Sequence, residues 1–328
     1  MRLLSSDQPI PAEFRGAIVA IGNFDGLHRG HQELLAIAKA QAVKTGKAFG
    51  IISFEPHPRS FFKPDEPVFR LTPLALKARL AAALGATFML NLNFDRALSE
   101  LEPQGFVQKY LVDHMAVAHV VTGYDFHFGK GRKGNPTDLK TMGEDFGFGV
   151  TIVDQVSDEG DSHSPFSSSS IRSALRRGHL DAAARELGYH WCVVGEVVRG
   201  DQRGRTIGFP TANIILEKGV EPFRGIYALS VRWDDNEYMG AGYFGDRPTF
   251  NTTRTFLEVY LLDFDGDLYG KILMVDFIDL IRPDKRFASV EELKAQMALD
   301  CGAVRERLEK TSTHADYPLA RAQMQGLI

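Results

Sequence analysis

A chain of 328 residues amounts to about two domains at roughly 150 residues each, and its 38 Lys+Arg against 42 Asp+Glu leave a net charge of −4. With 44% hydrophobic and 24% charged residues it sits at the globular average, which excludes disorder and fibrous repeats, and the mildly acidic balance argues against nucleic-acid binding through a generally basic surface. Two cysteines, Cys192 and Cys301, allow neither a disulfide framework nor a four-thiolate metal site, and no apolar run reaches the roughly 18 residues of a membrane span, so a soluble cytoplasmic protein is expected.

In chain order, strands are predicted at residues 17–22, 48–54, 87–92, 119–122 and 150–153, separated by amphipathic helices at 31–44, 73–84, 103–115 and 136–145. Three of these helices open on proline, whose missing N–H is harmless in a first turn. This alternation is the pattern of βαβ units and a mainly parallel, Rossmann-like sheet. A polar loop at 157–167 leads to short helices at 169–176 and 180–187. From Trp191 the pattern changes to strands at 191–199, 225–233, 237–243, 255–263 and 272–281, followed by a long helix from Val290. That is the look of a small antiparallel barrel with a C-terminal helix. The expected division is 1–187 and 188–328.

The first chemical constellation is Gly22-Asn23-Phe24-Asp25-Gly26-Leu27-His28-Arg29-Gly30-His31, where the first predicted strand hands over to the first helix. Glycines here let backbone N–H groups approach a phosphate, and the helix N-terminus adds partial positive charge. His28 and His31 can donate hydrogen bonds to phosphoryl oxygens as charge develops on them. A metal is the competing reading of two histidines three apart, but no third ligand stands close in sequence; a merely structural turn is the other. Three more unusual segments follow other strands of the same half: Phe54-Glu55-Pro56-His57-Pro58, Gly123-Tyr124-Asp125-Phe126-His127-Phe128-Gly129 and Ser167-Ser168-Ser169-Ser170-Ile171-Arg172. Loops after parallel strands gather at one sheet edge, so these segments are expected to converge on one cleft. The serine run can simply cap a helix, and Arg172 can clamp a phosphate with two parallel N–H bonds.

The second constellation lies in the predicted barrel. Gly204, Arg205 and Gly208 belong to a glycine-rich turn that leads through Pro210 to Thr211 and Asn213, which extended backbone would point to one side. Their oxygens suit Mg²⁺, although such residues also merely punctuate loops. Glu258, a charge in an apolar strand, reads either as a solvent-face residue or as a base for phosphoryl transfer.

Taken together, GNFDGLHRGH, SFEPHP, TGYDFHFGKGRKG and SSSSIR resemble the adenylyltransferase module of the prokaryotic bifunctional riboflavin kinase/FAD synthetase family, a nucleotidylyltransferase fold with the His-x-Gly-His signature. GDQRGRTIGFPTAN, GIYA, FGDRPTF, LEVYLLDFDGDLYGK and RFASVEELKAQMALD resemble its riboflavin kinase module, a six-stranded-type antiparallel β-barrel with a C-terminal helix. The resemblance covers essentially the whole chain. It implies phosphorylation of riboflavin to FMN by ATP in the barrel, and transfer of AMP from ATP to FMN, giving FAD and pyrophosphate, in the α/β domain. It further implies that His28 and His31 stabilise phosphate, that Ser168 and Arg172 contact the β/γ-phosphates with Ser169 beside them, and that Asp125 lies near the reacting groups. Thr211 and Asn213 would bind Mg²⁺–ATP, and Glu258 would activate the ribityl 5′-hydroxyl. The sequence departs from the family pattern at Ser169 (usually Thr), Asn135 (commonly Asp), Tyr243-Phe244 (commonly Asn-Ile) and Tyr260 (usually His). Alternatives are an aminoacyl-tRNA-synthetase-like adenylating enzyme, an adenylyltransferase with an impaired barrel, and a flavin-binding regulator without catalysis.

Overall fold

The run Ile18–Ile21 is buried at all four positions, the continuous apolar pattern of a strand covered on both faces, and it forms the middle of a parallel sheet. In the computed structural model, residues 1–157, 165–200, 204, 207–217, 219–234, 236–245, 255–310, 317–326 and 328 are described. Contacts divide the chain into two units. One comprises Met1–Val68, Leu74–Ser167 and Ile328, and the other Phe69–Pro73 and Ser168–Leu327.

The first unit holds strands β1 (Arg2–Ser5), β2 (Ile18–Ile21), β3 (Phe49–Glu55), β4 (Phe88–Asn93), β5 (His119–Gly123) and β6 (Gly149–Val153). They lie in the order β1-β4-β3-β2-β5-β6, every neighbouring pair parallel. Its helices are α1 (Arg29–Thr45), α2 (Pro58–Phe62), α3 (Leu74–Ala83), α4 (Arg96–Ser99), α5 (Pro103–Phe106) and α6 (Pro136–Phe146). The five predicted strands are present with ends moved by a residue or so. β1 was not predicted: it is a four-residue edge strand in which only Leu4 is buried, too short for an alternation to show. The helix predicted over 103–115 is α5 continued by a π-helical stretch, Val107–His114, which sets Val107, Tyr110 and Leu111 into the core. At the head of α6, Asn135 accepts from the Thr137 and Asp138 N–H groups, and Asp138 accepts in return from the Asn135 N–H. Asparagine caps a helix as well as aspartate does, which accounts for that departure from the family pattern.

The chain runs outward from β2 through β3 to β4 on one side and then crosses to β5 and β6 on the other. The β2/β5 boundary is therefore a topological switch point, where loops leaving the carboxyl ends of two strands part and open a crevice.

The second unit begins with α7 (Ser168–Arg176) and α8 (Leu180–Leu187). It continues as β7 (Cys192–Val198), β8 (Ala212–Leu216), β9 (Gly225–Trp233), β10 (Asn236–Phe244), β11 (Thr255–Leu261) and β12 (Ile272–Pro283), a closed barrel in the order β10-β11-β8-β7-β12-β9. All barrel pairs are antiparallel. Leu229, Val231, Leu257, Val259, Leu273 and Val275 fill its interior, each 0% exposed. Helices α9 (Val290–Lys310) and α10 (Pro318–Met324) follow. β8 is the barrel strand missing from the five predicted; it is short and opens on Ala-Asn, weak strand formers that disguise it as the tail of a turn.

Candidate functional site

In the first unit the turn from β2 into α1 stands at the switch point. Gly26 has φ 84, and Phe24 and Leu27 are also left-handed, with φ 50 and 41. Non-glycine residues hold that backbone only where the surroundings impose it, and here both side chains are 0% exposed, anchoring the turn from below. His28 occupies the N-cap position of α1 without a side-chain cap bond, and the N-terminus of such a helix favours an anion. The His28 and His31 rings stack with centroids 3.7 Å apart. Gly30 makes this possible, because a Cβ there would lie 3.2 Å from the His28 ring. The Nδ1 atom of His31 is buried without a hydrogen-bond partner among the described residues. Burial, then His28, then Lys77 hold the His31 imidazole well below its ordinary pKa, so it is neutral at pH 7.

Asp25 is buried at 3% exposure, while Asn23 and Asp125 are exposed. Asp125 folds back over the end of β5, where a Cβ at Gly123 would meet its Oδ1 at 3.1 Å. In the loop after β3, His57 Nδ1 accepts from the Arg59 N–H at 3.2 Å.

Two features of this edge escaped sequence reasoning. One is an aromatic cluster. Phe94 lies 5.4 Å from Phe61 and 5.8 Å from Phe62, edge-on to both; Phe54 joins Phe94 to Phe106, and Phe106 leads to Phe128, stacked on Phe126 at 5.6 Å. Phe62 is 65% exposed, an unusual position for a large apolar ring, and the Phe61-Phe62 pair at the end of short α2 is the signal that was available. The other is Lys77, buried in α3 and bonded to the turn.

Ser168, Ser169 and Arg172 lie in the first turns of α7, which groups by contacts with the second unit. Arg172 Nε donates to the Phe69 carbonyl at 2.6 Å, which anchors the guanidinium. Ser170 donates to Glu186 Oε2 at 2.5 Å.

In the barrel, Asn213 on β8 stands directly opposite Glu258 on β11, which in turn stands opposite Tyr243 on β10. Residues paired in this way share a sheet face with Cβ atoms roughly 4.5–5.5 Å apart. Their strand neighbours Ile214, Leu257, Val259, Gly242 and Phe244 are buried, so the trio lies on the outer face. Asn213 is nevertheless only 5% exposed, because the glycine-rich segment folds over it: a Cβ at Gly200 would lie 2.4 Å from its side chain. Gly204 accepts from the Phe209 N–H at 2.8 Å, and a Cβ there would fall 2.3 Å from the Phe209 carbonyl oxygen and 3.4 Å from Thr211 Oγ1. Gly208 is left-handed at φ 89, and Pro210 leads into Thr211 at the head of β8. Arg205 lies outside the described residues, as does the Arg247-Pro248-Thr249-Phe250 run.

The two tyrosine departures have distinct settings. Tyr260 packs edge-on against Phe209 at 5.3 Å and into a cluster with Val304 of α9. Tyr243 donates its hydroxyl to Asp284 Oδ2 at 3.2 Å. Beyond Asp284, Phe287 lies beneath the Arg282 guanidinium and the Lys285 ammonium at 5.7 and 5.3 Å, and Arg282 is fixed by paired bonds of 2.8 and 2.7 Å to Asp300.

With these geometries in hand, a family model described as FAD synthetase matches residues 10–169, and one described as riboflavin kinase matches residues 187–308. A bifunctional riboflavin kinase/FMN adenylyltransferase of Escherichia coli is 40% identical over 292 residues, covering 89% of this chain and 92% of the relative. The protein of the same description from Pseudomonas fluorescens is 39% identical over 306 residues, covering 93% and 97%. A crystal structure described as a macrolide-efflux protein from Streptococcus pneumoniae superposes with a TM-score of 0.81 at 30% identity, covering 93% of this chain and 99% of that one. No helix among the described residues is long and apolar enough to cross a membrane.

Proposed function

The chain belongs to the family of bifunctional riboflavin kinase/FMN adenylyltransferases, and from that premise we propose which residues carry each of its two reactions. It phosphorylates riboflavin to FMN and adenylylates FMN to FAD, with ATP as the co-substrate of both. We place the functional boundary at 187/188, a reading supported by the start of the riboflavin kinase match at residue 187.

Adenylyl transfer is assigned to the turn at residues 22–31. The observation that carries it is the stacked His28–His31 pair at the head of α1, at the switch point of the sheet. The FMN phosphate is already an anion, so attack on the α-phosphorus of ATP needs no general base. It needs donors where negative charge spreads over the phosphoryl oxygens as pyrophosphate leaves. Gly22, Asn23, Phe24, Asp25, Gly26 and Gly30 shape the N–H side of that site, the two imidazoles supply ring N–H donors, and Ser168, Ser169 and Arg172 bind the leaving phosphates. Asp125 borders the reacting groups.

The aromatic cluster around Phe94 suits the isoalloxazine of FMN, a flat polarisable ring that gains by stacking and by leaving water. Phe62→Ala is therefore expected to raise KM for FMN in FAD formation by about tenfold, the equivalent of one aromatic contact, with a smaller change in kcat. An unchanged KM would remove Phe62 from the flavin site.

Phosphoryl transfer to riboflavin is assigned to the outer face of the barrel, where Glu258 and Asn213 are cross-strand partners. Glu258 accepts the proton of the ribityl 5′-hydroxyl as that oxygen attacks the γ-phosphorus. Gly204, Arg205, Gly208 and Pro210 form the nucleotide turn. The hard oxygen donors of Thr211 and Asn213, under a glycine cradle that any Cβ would fill, fit Mg²⁺; they would hold it, and when bound it neutralises phosphate charge. Retention of Thr211, Asn213 and Glu258 supports a competent kinase despite Tyr243 and Tyr260. A cytoplasmic location and action on small molecules, without nucleic-acid or membrane partners, complete this reading. Chromatography of one mixture of protein, riboflavin, ATP and Mg²⁺ tests it: FMN and then FAD accumulate, and no FMN at enzyme stoichiometric with riboflavin would refute the kinase assignment.

A further inference from the structure

Lys77 belongs to none of the motifs assigned to either reaction, yet its side chain is only 4% exposed. A buried ammonium costs several kcal/mol unless its donors are satisfied, and this one donates to acceptors that include the Asn23 carbonyl at 2.9 Å, Ser53 Oγ at 2.9 Å and Glu55 Oε1 at 3.3 Å. An ammonium carries three N–H donors, so a direct hydrogen bond to a nucleotide would require one of these to break. Ser53, itself 0% exposed, passes its own hydroxyl proton on to the same Asn23 carbonyl at 3.3 Å. The carbonyl of Asn23 thus receives two donors, one cationic, from α3 and β3.

That carbonyl belongs to the peptide entering Phe24, the first left-handed residue of the turn. In a trans peptide the C=O and the following N–H point in opposite directions. Fixing the Asn23 carbonyl toward Lys77 therefore fixes the Phe24 N–H away from it, and with it the strained path into Gly26 and Leu27. Buried phenyl and isobutyl groups anchor the turn at Phe24 and Leu27, but apolar packing does not select a peptide orientation; a charged donor does.

We propose that Lys77 is a positioning residue for adenylyl transfer: its buried ammonium sets the orientation of the Asn23–Phe24 peptide and so aims the N–H groups of the glycine turn at the reacting phosphates. The inference rests on the assignment of residues 22–31 to that reaction. Lys77 also contributes to keeping His31 neutral, consistent with a cation that acts from beneath the site without touching substrate.

The test uses the full-length chain and compares Lys77→Met, which keeps the length and loses the charge, with Lys77→Arg, which keeps the charge, and Ser53→Ala, which removes the relay. FAD formation from supplied FMN and ATP, both KM values, thermal stability and riboflavin phosphorylation are measured on the same samples. Lys77→Met is expected to lose about 30-fold or more in kcat for FAD formation, the size of effect that misplacing reacting groups by a fraction of an ångström produces. KM for ATP and FMN should stay within about threefold, and phosphorylation should be unchanged. Lys77→Arg should recover about half of that loss on a logarithmic scale, and Ser53→Ala should lose about three- to fivefold in kcat, by the same reasoning. A Lys77→Met kcat near wild type overturns the proposal, as does a loss carried wholly by KM for ATP. If Lys77→Met does not fold, Ser53→Ala decides: a lower kcat at unchanged KM and melting temperature supports the proposal, and an unchanged kcat overturns it. A His28→Ala protein that still makes FAD at the wild-type rate would instead overturn the assignment of the turn, so the two failures are distinct.

Discussion

His28→Ala is expected to lower FAD formation from FMN and ATP by about 10²–10³-fold, the usual cost of deleting one preorganised donor to a developing oxyanion, while riboflavin phosphorylation stays within about twofold. The expectation follows from how the ring is held. It leaves the N-cap of α1, folds back over Gly30 and stacks on His31 at 3.7 Å. Alanine removes the donor and also uncovers the partner ring, so the two imidazoles are expected to be non-additive: a His28→Ala/His31→Ala double variant should lose less than the product of the single losses. Equal loss of both activities in a well-folded His28→Ala protein would contradict the assignment of two separate sites.

The second large effect is at Glu258. Glu258→Gln keeps the volume and a hydrogen-bonding oxygen but cannot take up a proton, so FMN formation should fall by about 10²–10⁴-fold in kcat, the range for removal of a general base. FAD formation from supplied FMN should persist, so that adding FMN restores product to the mixture. A kcat within about threefold of wild type would return Glu258 to a solvent-face role and send the search for a base to other residues near Asn213. The barrel register makes this a sharp test, because Glu258 shares its rung with both Asn213 and Tyr243.

Most of the first unit was legible because its strands are continuous apolar runs and its glycine turn stands between a strand and a helix. The order of the strands was not, since β1 shows a single buried leucine and pairs with β4 far along the chain; periodicity carries no information on such a partner. The barrel strand β8 was hidden for a local reason, as Ala212 and Asn213 carry weak strand propensity and follow a turn. Among the candidate site residues, His28 and His31 stood out by type and place, whereas Thr211, Asn213 and Glu258 read equally as turn and solvent-face residues and were singled out by the family resemblance. Lys77 did not stand out, because a lysine on an amphipathic helix is ordinarily solvated and nothing in the order of residues shows that its ammonium turns inward to Asn23. The phenylalanines of the sheet edge come from five places in the chain, from Phe54 to Phe128, and only folding assembles them.

The two sheets also differ in what they offer to other chains. A closed barrel has no edge strand, so it offers little template for strand addition. The open sheet ends on β1 at one side and β6 at the other, and β1 pairs with the backbone edge of β4 that β3 leaves open. A four-residue strand, with an Arg2–Glu13 ion pair of 2.9 Å at its start, thus closes that side of the sheet. Loss of the β1 pairing is therefore expected to bare the backbone edge of β4 and to promote self-association through the open sheet.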